Sequence, residues 1–596
     1  MKKFIYSLAI IFFINAAYGQ NVAVNTDGSV AHTSALLDVK STSKGMLTPR
    51  MTTAQRTGIS SPATGLLVYD TDVNSFWFYN GSSWTNITGS GGGGNGTNWK
   101  LTGNSGTTPA SDFIGTTDNQ SLRFKVNNEH YGLLDSNGSV LWGMHSGTNN
   151  TGHNNVAIGA KALYNNTYMS NLVAVGDSAL FSNGLGATNP GEAMFNTAIG
   201  SKSLFSNTTG HFNSALGYQT LFTNNTGNSN TALGSYALHH NTTGGANTGA
   251  GIFSLYHNTT GFRNSAFGQS ALASNTTGNY NTAVGDQALA ANYNASGNTA
   301  LGFAAMYRNI EGTRNTAVGF EALSWGQFGN YNTAIGYETL EGNEGIYNTA
   351  TGYSSAALGS LGSRNSSYGA LSFTANNMGN QNTAIGYQSM NANTSGSFNV
   401  ALGNSALTGN VTGTYNTAVG YNADVTVDSL TNATAVGANA LVNANNKVVI
   451  GNSSVTSIGG FVNWSNFSDG RFKQNVKEDV PGLTFINKLR AVTYTLNVDA
   501  INDFNSKDLP AEKKQTVLNA DKKNIVYTGF MAQEVEKAAN ELGYNFSGID
   551  KPKDASKQTY ALRYSDFIVP LVKAIQEQQK MIEDLRHEIE TLKKSK

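Results

Sequence analysis

Ser468 and Lys473 stand five residues apart in the stretch NFSDGRFKQN, Asn466 to Asn475. A serine hydroxyl becomes a useful nucleophile only when a base takes its proton. A lysine amine is such a base when desolvation leaves it neutral near physiological pH. Serine–lysine pairs are a known variant of the serine–histidine–aspartate arrangement. The nine histidines are scattered and only His587 follows this stretch, so no serine–histidine–aspartate set is visible. Spacing alone does not decide the matter. Ser-Asp-Gly is also a common turn or helix cap, because both side chains accept from nearby backbone N–H groups.

The chain changes character at this point. The 129 residues from Ser468 to Lys596 hold 21 Lys+Arg and 19 Asp+Glu, more than half of the 37 and 37 in the whole chain of 596. Net charge is zero, which argues against nucleic acid or an anionic membrane as partner. There is no cysteine, which excludes thiol catalysis, cysteine metal sites and disulfides. No cofactor and no metal are expected. Acidic residues are sparse before Ser468, and no pair of carboxylates suited to a glycosidase stands out.

Elements that would position the serine and lysine are legible in outline. The start, MKKFIYSLAIIFFINAAYGQ, has the basic, apolar and small-residue order of a secretory signal peptide over residues 1–19, which predicts a secreted or cell-surface protein. The apolar run from Phe4 to Ala17 is too short to span a bilayer comfortably. Residues 20–88 alternate apolar and polar side chains around Asp-Thr-Asp and Asn-Gly-Ser turns, which predicts a small β unit. Residues 89–96, GSGGGGNG, read as a flexible linker; they lack the Gly-Lys-Ser/Thr of a phosphate loop. Further short strands are expected over 97–150.

Residues 151–460 repeat. The word Asn-Thr-Ala-Val/Ile-Gly recurs with its glycine at positions from Gly159 to Gly437, and fourteen of the sixteen intervals are 17 residues. One interval is 16 and one is 24, the extra residues falling in NGLGATNPGEAMF around Pro190; a degenerate last copy ends at Gly451. Strict periodicity predicts stacked coils, and the absence of proline between Pro190 and Pro481 suits an unbroken sheet. Each copy is expected to supply three apolar core residues: the Ala, the Val/Ile and a Leu. Asn, Thr and Gly are poor helix formers, so the fold class is mainly β: a 17-residue-repeat β-solenoid or β-roll rod, roughly 80 Å long at ~4.8 Å per coil. Aromatics following the glycines (Tyr218, Phe320, Tyr337, Tyr387) are read as ladder packing, with a glycan surface as the alternative.

After Ser468 the pattern becomes α+β. GLTFINKLRAVTYTL (Gly482 to Leu496) predicts a short helix then a strand, and NIVYTGFMAQEVEKAANEL (Asn524 to Leu542) a strand running into a helix. From Ile568 a 4-3 repeat, with Ile568, Ile575, Ile582 and Ile589 in one set and Leu571, Gln578, Leu585 and Leu592 in the other, predicts a coiled coil over 568–596. Self-association follows; the heptads alone leave dimer against trimer open.

Three stretches resemble known families. NTAIG is similar to the head repeat of trimeric autotransporter adhesins, although the period differs. SALLDV…STSKGMLTPRMTTAQR…PATGLLVYDTD resembles a leader of secreted tail-fibre-like proteins of the Bacteroidetes. SDGRFKQNV resembles the opening of the intramolecular chaperone domain of phage endosialidases and tailspikes, the S74 peptidase family. AVTYTL with Tyr494, GFMAQEVEK with Gly529, Gln533 and Glu534, and LRYSDFIVPLVKAIQEQ with Tyr564 follow in the family's order, over 468–567 and into the coiled coil. The resemblance implies a domain that trimerises the chain, promotes folding of the β-rich fibre, then cuts itself off. Carried over, the scissile bond is Phe467–Ser468, Ser468 is the nucleophile and Lys473 the general base, with Asp469 and Arg471 in supporting roles. Arg563 departs from the acidic residue or asparagine common before the tyrosine. The expected function is a secreted homotrimeric fibre or adhesin-like protein with a self-cleaving chaperone. The alternative is an adhesin whose C-terminal domain is a permanent, uncleaved trimerisation module. The expected partners are further copies of the chain and a surface glycan or other cell-surface ligand.

Overall fold

A computed structural model describes residues 21–87, 103–108, 110–357, 361–462, 464–507 and 520–596. The expected signal peptide and glycine-rich linker lie outside the described residues. Two compact units separate between Gly115 and Thr116.

In the first unit β1 (Val22–Asn25) pairs in parallel with β2 (Leu37–Lys40). β3 (Arg50–Met51), β4 (Leu67–Asp70), β5 (Ser75–Tyr79) and β6 (Trp84–Asn86) form a four-stranded sheet in that order. Between β3 and β4 lies α1 (Thr53–Thr57), which Thr52 opens with a capping box to Gln55. Arg56 of α1 is buried, with its Nε 2.8 Å from Asp70 and its guanidinium 3.9 Å from the centre of the Trp77 ring. Burial alone would raise the Asp70 pKa. The hydrogen bonds from Arg56 and Thr53 outweigh it and hold the carboxylate below its usual range.

The second unit begins with three antiparallel strands, β7 (Leu122–Val126), β8 (Glu129–Leu134) and β9 (Val140–Trp142). β9 then pairs in parallel with β10 (Val156–Ile158). From there each repeat adds one short parallel strand in register, ending at Val448–Ile450. Ala157 pairs with Ala174, Ala174 with Ala198 and Ala198 with Ala215, so one alanine per coil lies over the next. The strands expected over 97–150 thus cap the rod rather than standing apart from it.

The core differs from the expectation in one respect. The strand alanine and the leucine are buried, as Ala283 and Leu289 show, but the Val/Ile is not a core residue. Ile199 is 38% exposed and Leu301 46%. Strand side chains alternate between faces. With alanine pointing inward, the residues on either side of it must point out. The third interior element is asparagine. Asn213, Asn230, Asn247 and Asn264, one per repeat word, are fully buried. The Asn230 side-chain oxygen accepts from the Asn247 backbone N–H at 3.0 Å, and its Nδ2 donates to the Gly244 carbonyl at 2.9 Å. A second column runs through Asn207, Asn224, Asn241 and Asn258, where each Nδ2 donates to the side-chain oxygen one coil earlier (2.9, 2.7 and 2.7 Å).

The turns between these columns are unusual. The repeat glycine has φ near +135°, and a Cβ added at Gly319 would lie 2.2 Å from the Gly336 carbonyl oxygen. The buried leucines are also left-handed: Leu221, Leu238 and Leu289 have φ of 51–53°. Non-glycine residues there cost roughly 1–2 kcal/mol each, and two more left-handed positions recur in most coils, as at Gln219 and Ser229. A lone coil is therefore strained, and only its neighbours hold it in shape. Ring columns assist. Tyr164, Phe181, Phe205, Phe222 and His239 stack successively with centroids 4.9–5.2 Å apart. Phe320 stacks between Phe303 and Tyr337, both at 5.1 Å, in line with ladder packing.

Beyond the rod, α2 (Leu483–Ile486), α3 (Val498–Ser506), α4 (Ala532–Glu541) and α5 (Ile568–Lys594) surround two strand pairs: Val492–Tyr494 with Tyr527–Gly529, and Ile549–Asp550 with Ala561–Leu562. Their core is small: Phe485, Val535, Ala538, Ala539, Phe546 and Phe567. Pro570 sits in the first turn of α5, where its missing N–H costs nothing. No helix among the described residues is long and apolar enough to cross a membrane.

Two outcomes follow. Asn230→Ala orphans the buried Asn247 N–H, which costs about 1–3 kcal/mol. Denaturant titration of the rod should register that loss, and Asn230→Asp, which sets a carboxylate against the Gly244 carbonyl, should lose more. The second concerns His239, whose pKa burial pulls down to about 4, with His240 and His257 adding repulsion. Above pH 6.5 folded and unfolded chains both hold it neutral. Between pH 6.5 and 4 the unfolded chain binds a proton that the folded rod refuses, so stability falls as pH falls through that window. Amide exchange around Leu238 and Leu255, corrected for intrinsic rate, should quicken across it, and His239→Phe should flatten the response.

Candidate functional site

The serine and lysine singled out from sequence do meet. A single turn of 3₁₀ helix, Gly470–Phe472, folds the chain back so that Lys473 Nζ lies 2.9 Å from Ser468 Oγ. Asp469 builds the turn: its carboxylate accepts from the Arg471 backbone N–H at 2.9 Å and from Arg471 Nε at 3.0 and 3.1 Å. The Arg471 hydrogen bond holds the Asp469 carboxyl below the usual range. Both residues thus act on the loop's shape. Phe467, on the far side of the Phe467–Ser468 bond, is 80% exposed and tilts against Phe472 at 5.6 Å. Ser468 and Lys473 are exposed too.

Tyr494, Gly529, Gln533 and Tyr564 gather elsewhere. Val492 pairs with Gly529 and Tyr494 with Tyr527 across the strand pair. Tyr564 Oη accepts from the Phe530 N–H at 3.0 Å, and a Cβ on Gly529 would meet that oxygen at 2.2 Å. Gly529 is therefore fixed by the close approach of Tyr564. Tyr494, Gln533 and Tyr564 line a cavity of about 610 Å³, with Phe504, Phe530 and Tyr560. Glu534 accepts from Arg490 Nε at 3.1 Å, which holds the glutamate ionised at lower pH than usual. Among the described residues no hydrogen bond joins this cleft to Ser468 or Lys473. The motif is thus split between an exposed loop and an aromatic cleft.

Sequence reasoning missed the residues that tie the domain together. Glu577 of α5 accepts from the Leu483 N–H at 2.8 Å, across 94 positions, and so caps α2. On the last coils of the rod, Gln558 Nε2 donates to the Asn443 carbonyl at 3.2 Å and Lys522 Nζ to the Val455 carbonyl at 2.7 Å. Burial lowers the Lys522 pKa. Contacts between such distant positions leave no periodic signal in one sequence.

Residues 468–544 match the family model for the chaperone of endosialidase, peptidase S74. The match opens at Ser468 and extends through Tyr494, Gly529, Gln533 and Glu534 to the residues just beyond α4. A second family model, the phage tail like trimerisation region, matches residues 23–107. No curated protein matches the chain. Together with the rod, the two matches fit a trimeric fibre.

The cleft yields a direct check. Gly529→Ala must push the Tyr564 hydroxyl away from the Phe530 N–H and should lower the melting temperature of the endosialidase-chaperone region by at least as much as loss of that hydroxyl. Tyr564→Phe, which removes only the hydroxyl that accepts from Phe530, should cost about 1 kcal/mol. Differential scanning calorimetry of the full chain reads both.

Proposed function

We propose that this chain is the subunit of an exported homotrimeric fibre, and that its C-terminal domain aligns three chains and then cuts itself free at Phe467–Ser468. The observation that carries the cleavage is the 2.9 Å approach of Lys473 Nζ to Ser468 Oγ, at the position where the peptidase S74 match begins. In the proposed step Ser468 Oγ attacks the Phe467 carbonyl carbon while a neutral Lys473 amine takes the hydroxyl proton. The Phe467 C–N bond breaks, and the proton passes to the departing nitrogen, which becomes the new α-amine of Ser468. The resulting ester, Phe467 acyl on Ser468 Oγ, is hydrolysed by water to a Phe467 carboxylate and a free serine hydroxyl.

Exposure adds a condition. A lysine base works when it is desolvated, and a single chain leaves Lys473 in water. Assembly is what would cover it. The α5 heptad residues support assembly: Ile575, Leu585 and Leu592 are 63%, 56% and 60% exposed, so the seam is not used against the chain's own domain. The alignment role has a physical motive. Near-identical coils can pair in slipped registers at little cost, and strained coils need a held end from which to propagate. The domain's bonds to Asn443 and Val455 put it at such an end.

Full chain, Ser468→Ala and Lys473→Arg should be expressed together and analysed by intact mass. The wild type should release a fragment of 129 residues beginning at Ser468, and both variants should stay whole. If all three stay whole while remaining trimeric, the domain is instead a permanent trimerisation module, the reading of an uncleaved adhesin.

A further inference from the structure

The outward side of the rod's strands is free of charge along its whole length. The first and third residues of every three-residue strand from Val156–Ile158 to Val448–Ile450 face away from the core, and none is Asp, Glu, Lys or Arg. The first column is mostly Thr or Ser. The third is mostly Ile, Val or Leu, with Ile335 at 42% and Leu402 at 44% exposed. The chain has charges to place, and it places them elsewhere on the coil, some of them in the bordering columns.

Those borders differ in sign through the central coils. The column two residues before each strand carries Arg263, Arg314 and Arg364 and no acid over its whole length. On the other border, the column just after the glycine carries Asp177 and Asp286 and no base, and the next position carries Glu321 and Glu338. Lys161 and Lys202 occupy that next position only near the start of the rod. Both borders also carry stacked rings: Tyr331 on Tyr347 at 4.8 Å before the strand, Phe320 on Tyr337 at 5.1 Å after it.

We propose that copies of this chain pack in parallel around a common axis with this uncharged strand face inward, the arginine border of each copy lying against the acidic border of the next. The inference rests on the trimeric reading and names the surface that makes the trimer. Only a parallel ring brings unlike borders together; an antiparallel pair sets arginine against arginine, which repulsion disfavours. Cyclic symmetry has no shift along its axis. Arg314 and Glu321 flank the same strand, Thr316–Val318, so Arg314 of one copy meets Glu321 of the next at one height. Covering the face also removes from water the Val/Ile column that the single chain leaves half exposed. A slip by one coil keeps the uncharged columns in contact and disturbs only the sparse charges, so this face gives adhesion more than register.

The chain lacks cysteine, so introduced thiols report cleanly. The full chain with Arg314→Cys and Glu321→Cys, mildly oxidised, should run as a covalent trimer on a non-reducing gel. Asn294→Cys, in the turn away from the face, should not cross-link. Val318→Lys with Ile335→Lys, at outward positions a monomer tolerates, should lower the mass by light scattering or raise the rod's protease sensitivity at least tenfold. If the wild type is trimeric but the double cysteine stays uncross-linked and the lysine variant keeps its mass and resistance, the packing proposed here is wrong and the trimeric fibre stands. A monomeric wild type overturns the trimeric reading itself.

Discussion

The rod depends on one repeated interaction: a buried asparagine whose side chain hydrogen-bonds the backbone of the next coil. Asn230 accepts from Asn247 N–H and donates to the Gly244 carbonyl, and equivalent residues do so along the rod. The coil is too thin to hide its turns behind a large apolar core. Its backbone groups at the corners would be buried without partners, and each orphan would cost more than a typical hydrogen bond contributes. Asparagine solves this because its amide carries both a donor and an acceptor, as a peptide does. The alanine and leucine columns then need only fill the remaining volume.

That arrangement explains why the rod must be long and why its ends matter. Left-handed leucines and glycines stacked on glycines are tolerable only when a coil sits on each side. Energy accrues at interfaces between coils, so the first and last coils are the weak ones. β7, β8 and β9 cover the first. The C-terminal domain contacts the last through Asn443 and Val455. A chaperone placed there stands at the point where a strained, repetitive structure most needs a template. The loop that joins it to the rod carries Ser468 and Lys473 in solvent.

Much of this was legible in sequence, for reasons of scale. A 17-residue period, the scarcity of proline and the Asn-Thr-Ala-Val/Ile-Gly word are local, and local patterns decide coil length, strand position and the turn glycine. The short helix at Leu483, the strand into helix at Tyr527–Glu541 and the proline in the first turn of α5 were equally local. The Val/Ile was misplaced because hydrophobicity does not report direction. Once alanine points inward, alternation sends its neighbour out, and only the built coil shows which of the two is inside.

The site divides the same way. Ser468, Asp469, Arg471 and Lys473 lie within six residues; their spacing alone fitted an ordinary turn equally well, and the family resemblance singled out the serine and the lysine. Sequence by itself determined the repeat, the boundary at Ser468 and the heptads of α5. Tertiary structure decided that the asparagines are interior, that Gly529 makes room for Tyr564, that Glu577 caps a helix 94 residues away, and that the cleft is lined without the serine and lysine. The physical reason is range. Steric and periodic rules act over a few residues, whereas burial and long-range hydrogen bonds depend on which distant groups the finished fold brings together.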